Sequence, residues 1–102
     1  MSTSPIEVAE VDAHSVRVTD DELIVELVDG RTISAPIAWF PRLSHGTPEE
    51  RGNWVFIGGG MGIHWEDLDE DISVRGLLLG RKSAESQTSF ARWLKRRKAK
   101  AS

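Results

Sequence analysis

Residues 58–73, GGGMGIHWEDLDEDIS, are the part of this chain whose residue types and spacing come closest to a chemical site. A glycine-rich turn precedes a single histidine, His64, and five carboxylates follow it within seven positions: Glu66, Asp67, Asp69, Glu70 and Asp71. Glycines can cradle a phosphate, carboxylates can bind a cation, and a histidine beside a carboxylate can move a proton. Each chemistry requires its own spacing, so each can be tested on the sequence.

The glycines do not have the spacing of a phosphate site. GGGMGI lacks the third glycine of the dinucleotide-binding fingerprint, and no Gly-Lys-Ser or Gly-Lys-Thr follows it. The turn also leads into a predicted strand, whereas a phosphate is held at the start of a helix. We therefore interpret the glycines as a hairpin connection that needs positive φ angles.

The carboxylates match a calcium loop only at its beginning. Asp67, Asp69 and Asp71 have the spacing of the first three ligands of an EF-hand. Ile72 then stands where that loop needs a glycine, and Leu78 stands where it needs a glutamate. We expect these carboxylates to cap the following helix and to stay solvated, while a cation site of another type remains open.

His64 has two interpretations. In a strand, His64 and Glu66 share one side and Trp65 occupies the other, so Glu66 or Asp67 could orient the ring as a general base. A half-buried histidine satisfied by a neighbouring carboxylate is the favoured interpretation, because no nucleophile lies at a suitable spacing. His14 and His45 form no metal-ligand spacing with it. We therefore predict no catalytic residue, no metal and no cofactor.

Two groups of side chains are candidates for binding a partner. Trp39 and Phe40 stand beside Pro41, where exposed aromatics would form a binding patch and buried ones would close the core. Phe90 and Trp93 lie on the apolar stripe of a predicted C-terminal amphipathic helix, which could dock on its own domain or on another chain. The same helix carries the residues for a nucleic-acid interface: Arg92, Lys95, Arg96 and Lys98.

Charge is distributed unevenly along the chain. Residues 1–80 hold 5 Lys and Arg against 15 Asp and Glu, a net charge of −10, whereas residues 81–102 carry a net charge of +7. We therefore predict a core domain over residues 1–82 and a basic helical tail over residues 83–102. The chain has no cysteine and no run of about 20 apolar residues, so we expect a cytoplasmic protein without a membrane span.

Apolar periodicity predicts an α+β fold: a small antiparallel sheet of about five strands in two hairpins, with short helices and the C-terminal helix. In the first hairpin, a three-residue loop over residues 28–30 pairs Val25 with Ile33 and keeps one face apolar, which requires a positive φ at Gly30. Thr47, with Pro48 after it and Glu50 at the third helical position, predicts a capped short helix.

Three stretches taken in order, DGRTISAPIAWFPRL, TPEERGNW and GIHWEDLDEDISVRGLL, resemble the bacterial family known as domain of unknown function 2442. The resemblance covers about residues 15–80. It implies a small α+β domain with an antiparallel sheet and a place in gene pairs suspected to encode a toxin and its antitoxin. Some members of the family carry a helix-turn-helix, but the tail here is one helix without that motif. The family has no established catalytic residues to carry over.

These observations favour a non-enzymatic protein-interaction module, plausible as the antitoxin-like partner of a small basic toxin. One alternative is a nucleic-acid-binding protein that uses the basic C-terminal helix. A second alternative is a metal-dependent or acid/base enzyme centred on His64 with Asp67 and Asp69. A homo-oligomer is compatible with all three hypotheses.

Overall fold

The computed structural model describes residues 11–101, in which six β-strands and several helices alternate. The first ten residues of the predicted core segment and the last residue of the predicted tail lie outside this range. The described strands form two antiparallel sheets of three strands each, which we call sheet A and sheet B. The α+β class is confirmed, whereas the prediction of a single sheet of about five strands is wrong.

Sheet A contains β1 (Ala13–Val18), β2 (Glu22–Leu27) and β3 (Thr32–Pro36) in that order. Val25 pairs with Ile33, and Gly30 has a φ of 97°, so the predicted register and three-residue loop are confirmed. This register places three apolar side chains of β2 on one face of the sheet. Those side chains are buried: Leu23, Val25 and Leu27.

Three short helical segments separate the two sheets. A 3₁₀ turn (Ile37–Trp39) leads into α1 (Pro41–His45), and α2 (Pro48–Gly52) follows. The Thr47 hydroxyl accepts a hydrogen bond from the Glu50 backbone N–H, and the Glu50 carboxylate accepts one from the Thr47 N–H. This is the predicted capping box, which satisfies two donors at the helix start.

Sheet B contains β4 (Trp54–Ile57), β5 (Gly62–Trp65) and β6 (Glu70–Ser73). The hairpin of β4 and β5 was predicted, but β6 was not, because its four residues include only one large apolar side chain. That side chain, Ile72, pairs with Ile63 on the buried face. The carboxylates of residues 70 and 71 therefore belong to a strand, and Ser73 rather than Asp71 caps the following helix.

The two sheets meet where the β4–β5 turn approaches the start of β1. The Ala13 backbone N–H donates a 2.9 Å hydrogen bond to the Gly60 carbonyl. Gly60 has a φ of 117°, and a Cβ there would lie 2.5 Å from the Ala13 carbonyl oxygen. Only glycine fits this contact, so one of the glycines first considered for a phosphate site has an architectural role.

One core joins both sheets and the helices. Trp65 is fully buried on the inner face of sheet B, and its indole N–H donates to the Arg51 carbonyl at 2.9 Å. The buried Arg51 side chain donates to the carbonyls of Leu43 and Ser44 and to the Asp20 carboxylate. Within residues 11–100, every buried side-chain nitrogen and oxygen has a hydrogen-bond partner.

Two helices complete the chain. Helix α3 (Val74–Leu78) buries Val74 and Leu77, and Gly80 follows it with a φ of 73°. Helix α4 (Gln87–Ala101) is the predicted C-terminal helix. Neither these nor the other described helices combine the length and the apolar character that crossing a membrane requires.

Candidate functional site

His64 lies on the outer face of sheet B between two carboxylates. Its Nδ1 is 2.5 Å from an Asp71 oxygen and its Nε2 is 2.8 Å from a Glu66 oxygen. The strand register explains both contacts, because His64 pairs with Asp71 across β5 and β6 and shares its face with Glu66. The sequence predicted a partly buried histidine with a neighbouring carboxylate and missed Asp71, since β6 was not recognised.

This geometry favours an imidazolium. Hydrogen bonds from the ring to the carboxylates of Glu66 first and Asp71 second raise the pKa of His64 above its usual value. With a carboxylate at each ring nitrogen, the charged ring donates twice and has no lone pair with which to accept a proton. Within residues 11–100, no cluster of three metal-ligating side chains is placed to hold an ion. The arrangement suits a cross-strand ion pair better than a general base.

Helix α4 packs against the core through the aromatic residues predicted to bind a partner. Trp93 is only 4% exposed, and its ring stacks on Phe90 with a centroid distance of 5.6 Å. Phe90 also meets His45 of α1 edge-on at 5.0 Å. Two guanidinium groups lie against the Trp93 ring, from Arg42 at 5.3 Å and from Arg97 at 4.8 Å. The apolar stripe of α4 is therefore an internal contact.

Two ion pairs stabilise the two ends of this contact. In one the arginine belongs to a short helix, and in the other it belongs to α4. Arg42 of α1 donates from Nε and Nη2 to the Glu85 carboxylate, and Arg97 of α4 donates from both terminal nitrogens to Glu50 of α2. The arginine partners lower the pKa of Glu85 and of Glu50. The partners of these two ion pairs are separated by 43 and by 47 positions in the sequence. No local pattern links residues so far apart, so the attachment could not be predicted from the sequence.

The four aromatic residues predicted to bind a partner therefore do not form one exposed patch. Phe40 is 3% exposed and belongs to the core, so, like Trp93, it has no surface to offer in this conformation. Burial of their large apolar area explains both positions. Trp39 and Phe90 are half-buried, and the Lys82 ammonium lies 5.3 Å from the Trp39 ring centre. The partner-binding role of these residues stays a prediction.

Three basic residues of α4 lie away from the docked stripe. The four predicted nucleic-acid contacts are all exposed: Arg92, Lys95, Arg96 and Lys98. At 100° per residue, Arg92, Lys95 and Arg96 fall on one side of the helix, opposite Phe90 and Arg97. We call these three the basic face of α4. It presents cations along the solvent side of a helix whose other side is buried.

Strand β4 carries an exposed apolar strip that the sequence did not single out. Val55 is 56% exposed and Ile57 is 46% exposed, and Met61 in the adjoining turn is 66% exposed. We call these three residues the β4 strip. Alternation predicts one outward-facing side chain in two, but only the tertiary structure shows that no helix covers this face. In residues 11–101, β4 is the edge of sheet B and pairs only with β5.

The chain belongs to a family of proteins of unknown function, DUF2442, whose model matches residues 13–83. This match includes both sheets and α3 and ends before α4. The family resemblance found in the sequence is therefore confirmed. No curated protein is similar enough in sequence to be matched to this chain.

Two solved structures are similar to the fold. A crystal structure of a protein of unknown function from Rhodospirillum rubrum has a TM-score of 0.66 and 29% identity, covering 76% of this chain and 96% of that one. A solution structure of an uncharacterised protein from Chromobacterium violaceum has a TM-score of 0.64 and 24% identity, covering 85% of this chain and 80% of that one. The second likeness concerns the fold alone.

Proposed function

We propose that this protein is a non-enzymatic binding module for a small basic protein, as an antitoxin is for its toxin. The observation that carries the proposal is the β4 strip. Five large apolar side chains are exposed within residues 11–100, and three of them gather here: Val55, Ile57 and Met61. Clustered apolar exposure marks interaction surfaces more often than scattered exposure does.

The backbone of β4 adds a second mode of recognition. An edge strand has unpaired N–H and C=O groups along one side, and proteins usually protect such edges with charged residues or proline. Residues 54–57, WVFI, contain neither. An extended segment of a partner could therefore pair with β4 and place its own apolar side chains over Val55 and Ile57.

The charge of the body favours a basic partner. Residues 1–80 carry a net charge of −10, and the carboxylates of Glu66 and Asp71 lie on the same face of sheet B as Val55. Opposite charge accelerates association and suppresses the binding of acidic competitors. The absence of cysteine suits the reducing cytoplasm, where the proposal places both partners.

The test is to capture partners from native cells with the tagged full chain and with Val55→Lys/Ile57→Lys. Two lysines place positive charge in the apolar strip, where a basic partner would meet it, so we expect loss of the specific partner. Val28→Lys/Leu79→Lys is a matched control, because Val28 and Leu79 are 62% and 55% exposed and lie outside sheet B. Equal retention of every partner by both double variants would refute the proposal, provided their thermal unfolding is cooperative.

The basic face of α4 supports a second candidate function, binding of nucleic acid through phosphate contacts. Three cations on one exposed helix face are a suitable surface for a polyanion. We expect Arg92→Ala/Arg96→Ala to weaken binding to a duplex and to reduce its salt dependence by about two charges. Glu49→Gln, a change outside α4, serves as the control. Binding that is absent, or insensitive to salt, eliminates this candidate.

A further inference from the structure

A cleft of about 470 Å³ opens between β6, α3 and the segment that leads to α4. Its lining includes apolar side chains, Phe40, Ile72 and Leu77, and polar ones, of which Glu70, Arg81 and Lys82 matter here. This volume lies within the range of small-molecule sites. The cleft is at the β6 side of sheet B, on the opposite edge from the β4 strip, and nothing in the proposed function uses it.

Glu70 is a carboxylate in this cleft without a side-chain partner. In the part of the chain that the structure describes, no side chain forms an ion pair or hydrogen bond with it, and the Asp71 backbone N–H is a donor to its carboxylate. The cation with the largest electrostatic effect on it is Arg42. Arg42, however, directs Nε and Nη2 to Glu85 and Nη1 to the Asp69 carbonyl, so its donors serve other acceptors.

The surroundings of Glu70 make its ionisation costly. Burial raises its pKa to about 7, and the charges of Glu85 and Asp71 add to the rise, while Arg42 and the hydrogen bond from the Asp71 backbone N–H oppose it. Asp69 also lines the cleft, but its carboxylate approaches Arg42 at 3.5 Å. Two cations that also line the cleft, Arg81 and Lys82, form no ion pair with a carboxylate of residues 11–100, and the Lys82 ammonium lies against the Trp39 ring. The cleft thus contains one carboxylate and two cations that are not ion-paired.

We propose that this cleft binds a small molecule with a protonated amine or guanidinium, which pairs with Glu70, and an anionic group, which pairs with Arg81 and Lys82. The apolar lining accommodates a short hydrocarbon chain between the two charged ends. The ligand cation supplies the counter-charge that no side chain of the protein provides in direct contact with Glu70. The Glu70 carboxylate therefore determines which ligands bind. The inference stands independently of the partner at β4.

The experiment is an NMR titration of the full chain with two probes, arginine and n-butylguanidinium. Both carry the guanidinium, but only arginine carries a carboxylate. Binding requires an ionised Glu70, so the affinity for arginine should be lower at pH 5.5 than at pH 8, by on the order of tenfold. The Glu70 carboxyl resonance, followed in the unmodified protein, should titrate at a lower pH when arginine is present.

Variants separate the two ends of the ligand. Glu70→Gln should bind arginine at least about tenfold more weakly, whereas Glu49→Gln, an exposed change in α2, should bind it normally. Arg81→Ala/Lys82→Ala should remove the preference for arginine over n-butylguanidinium. Binding by Glu70→Gln equal to the wild type, or an affinity that does not change with pH, would overturn the proposal. If arginine does not bind in this cleft, the capture experiment on the β4 strip still tests the proposed function independently.

Discussion

The guanidinium of Arg97 lies 4.8 Å from the centre of the Trp93 ring and donates to both carboxylate oxygens of Glu50. One arginine of the C-terminal helix thus covers a buried aromatic residue of its own helix and binds a carboxylate of α2. The carboxylate that accepts these bonds also completes the capping box of α2. Attachment of α4 and the stability of α2 are therefore linked through Glu50.

Trp93→Ala should destabilise the protein by about 3–5 kcal/mol, the usual cost of removing a large buried aromatic side chain. It should also lower the helix content, because α4 loses most of its buried contact. Urea unfolding monitored by circular dichroism measures both effects. Arg92→Ala, one position earlier on the exposed side, should change stability by less than about 0.5 kcal/mol. Equal effects of the two variants would show that α4 is not docked as described.

Gly60→Ala should destabilise the protein more than Gly59→Ala does. Both glycines have positive φ, at 117° and 71°. Alanine at Gly59 meets strain of about 1–2 kcal/mol, and the φ of Gly60 lies further from the left-handed helical region. A Cβ at Gly59 meets no atom within 4 Å, whereas one at Gly60 collides with the Ala13 backbone. The difference in the free energy of unfolding between the two variants reports this collision at the contact between sheets A and B together with the additional strain. A difference of zero would contradict it.

Glu70→Gln should stabilise the protein at pH 8 and leave its stability unchanged near pH 4. The folded pKa of about 7 exceeds the unfolded value of 4.5, so the folded state binds the proton more tightly. Stability is then lost as pH rises from about 4.5 to 7, by linkage. Because the group is partly solvated, we expect a gain on the order of 1 kcal/mol at pH 8. Unfolding curves at the two pH values provide the test.

His64→Gln should lower the melting temperature at pH 5.5 and have little effect at pH 9. The folded pKa of His64 is raised, so its stabilising contribution is complete below the unfolded value and is lost as pH rises through the folded one. His14→Gln, an exposed change in β1, is the control for removing an imidazole elsewhere on the surface. If the effect of His64→Gln were the same at both pH values, the ring would not act as an imidazolium between Glu66 and Asp71.

Local chemistry made parts of this structure predictable. The loop at Gly30 and the capping box at Thr47 depend on neighbouring residues, and both predictions were confirmed. Strand β6 was missed because its charged residues have no strand pattern, and Ile72 alone did not indicate its pairing with Ile63. The β4 strip and the position of Glu70 without a side-chain partner depend on which surfaces the other elements leave uncovered. Such information is tertiary and is not contained in any local pattern.

The most direct test of the proposed binding function is amide hydrogen exchange, measured on the free protein and on its complex with the partner captured from native cells. We predict that residues 55–57 of β4 become strongly protected in the complex, because a partner strand occupies the open edge of sheet B. Protection confined to α4 or to sheet A, with β4 exchanging as fast as in the free protein, would contradict the account.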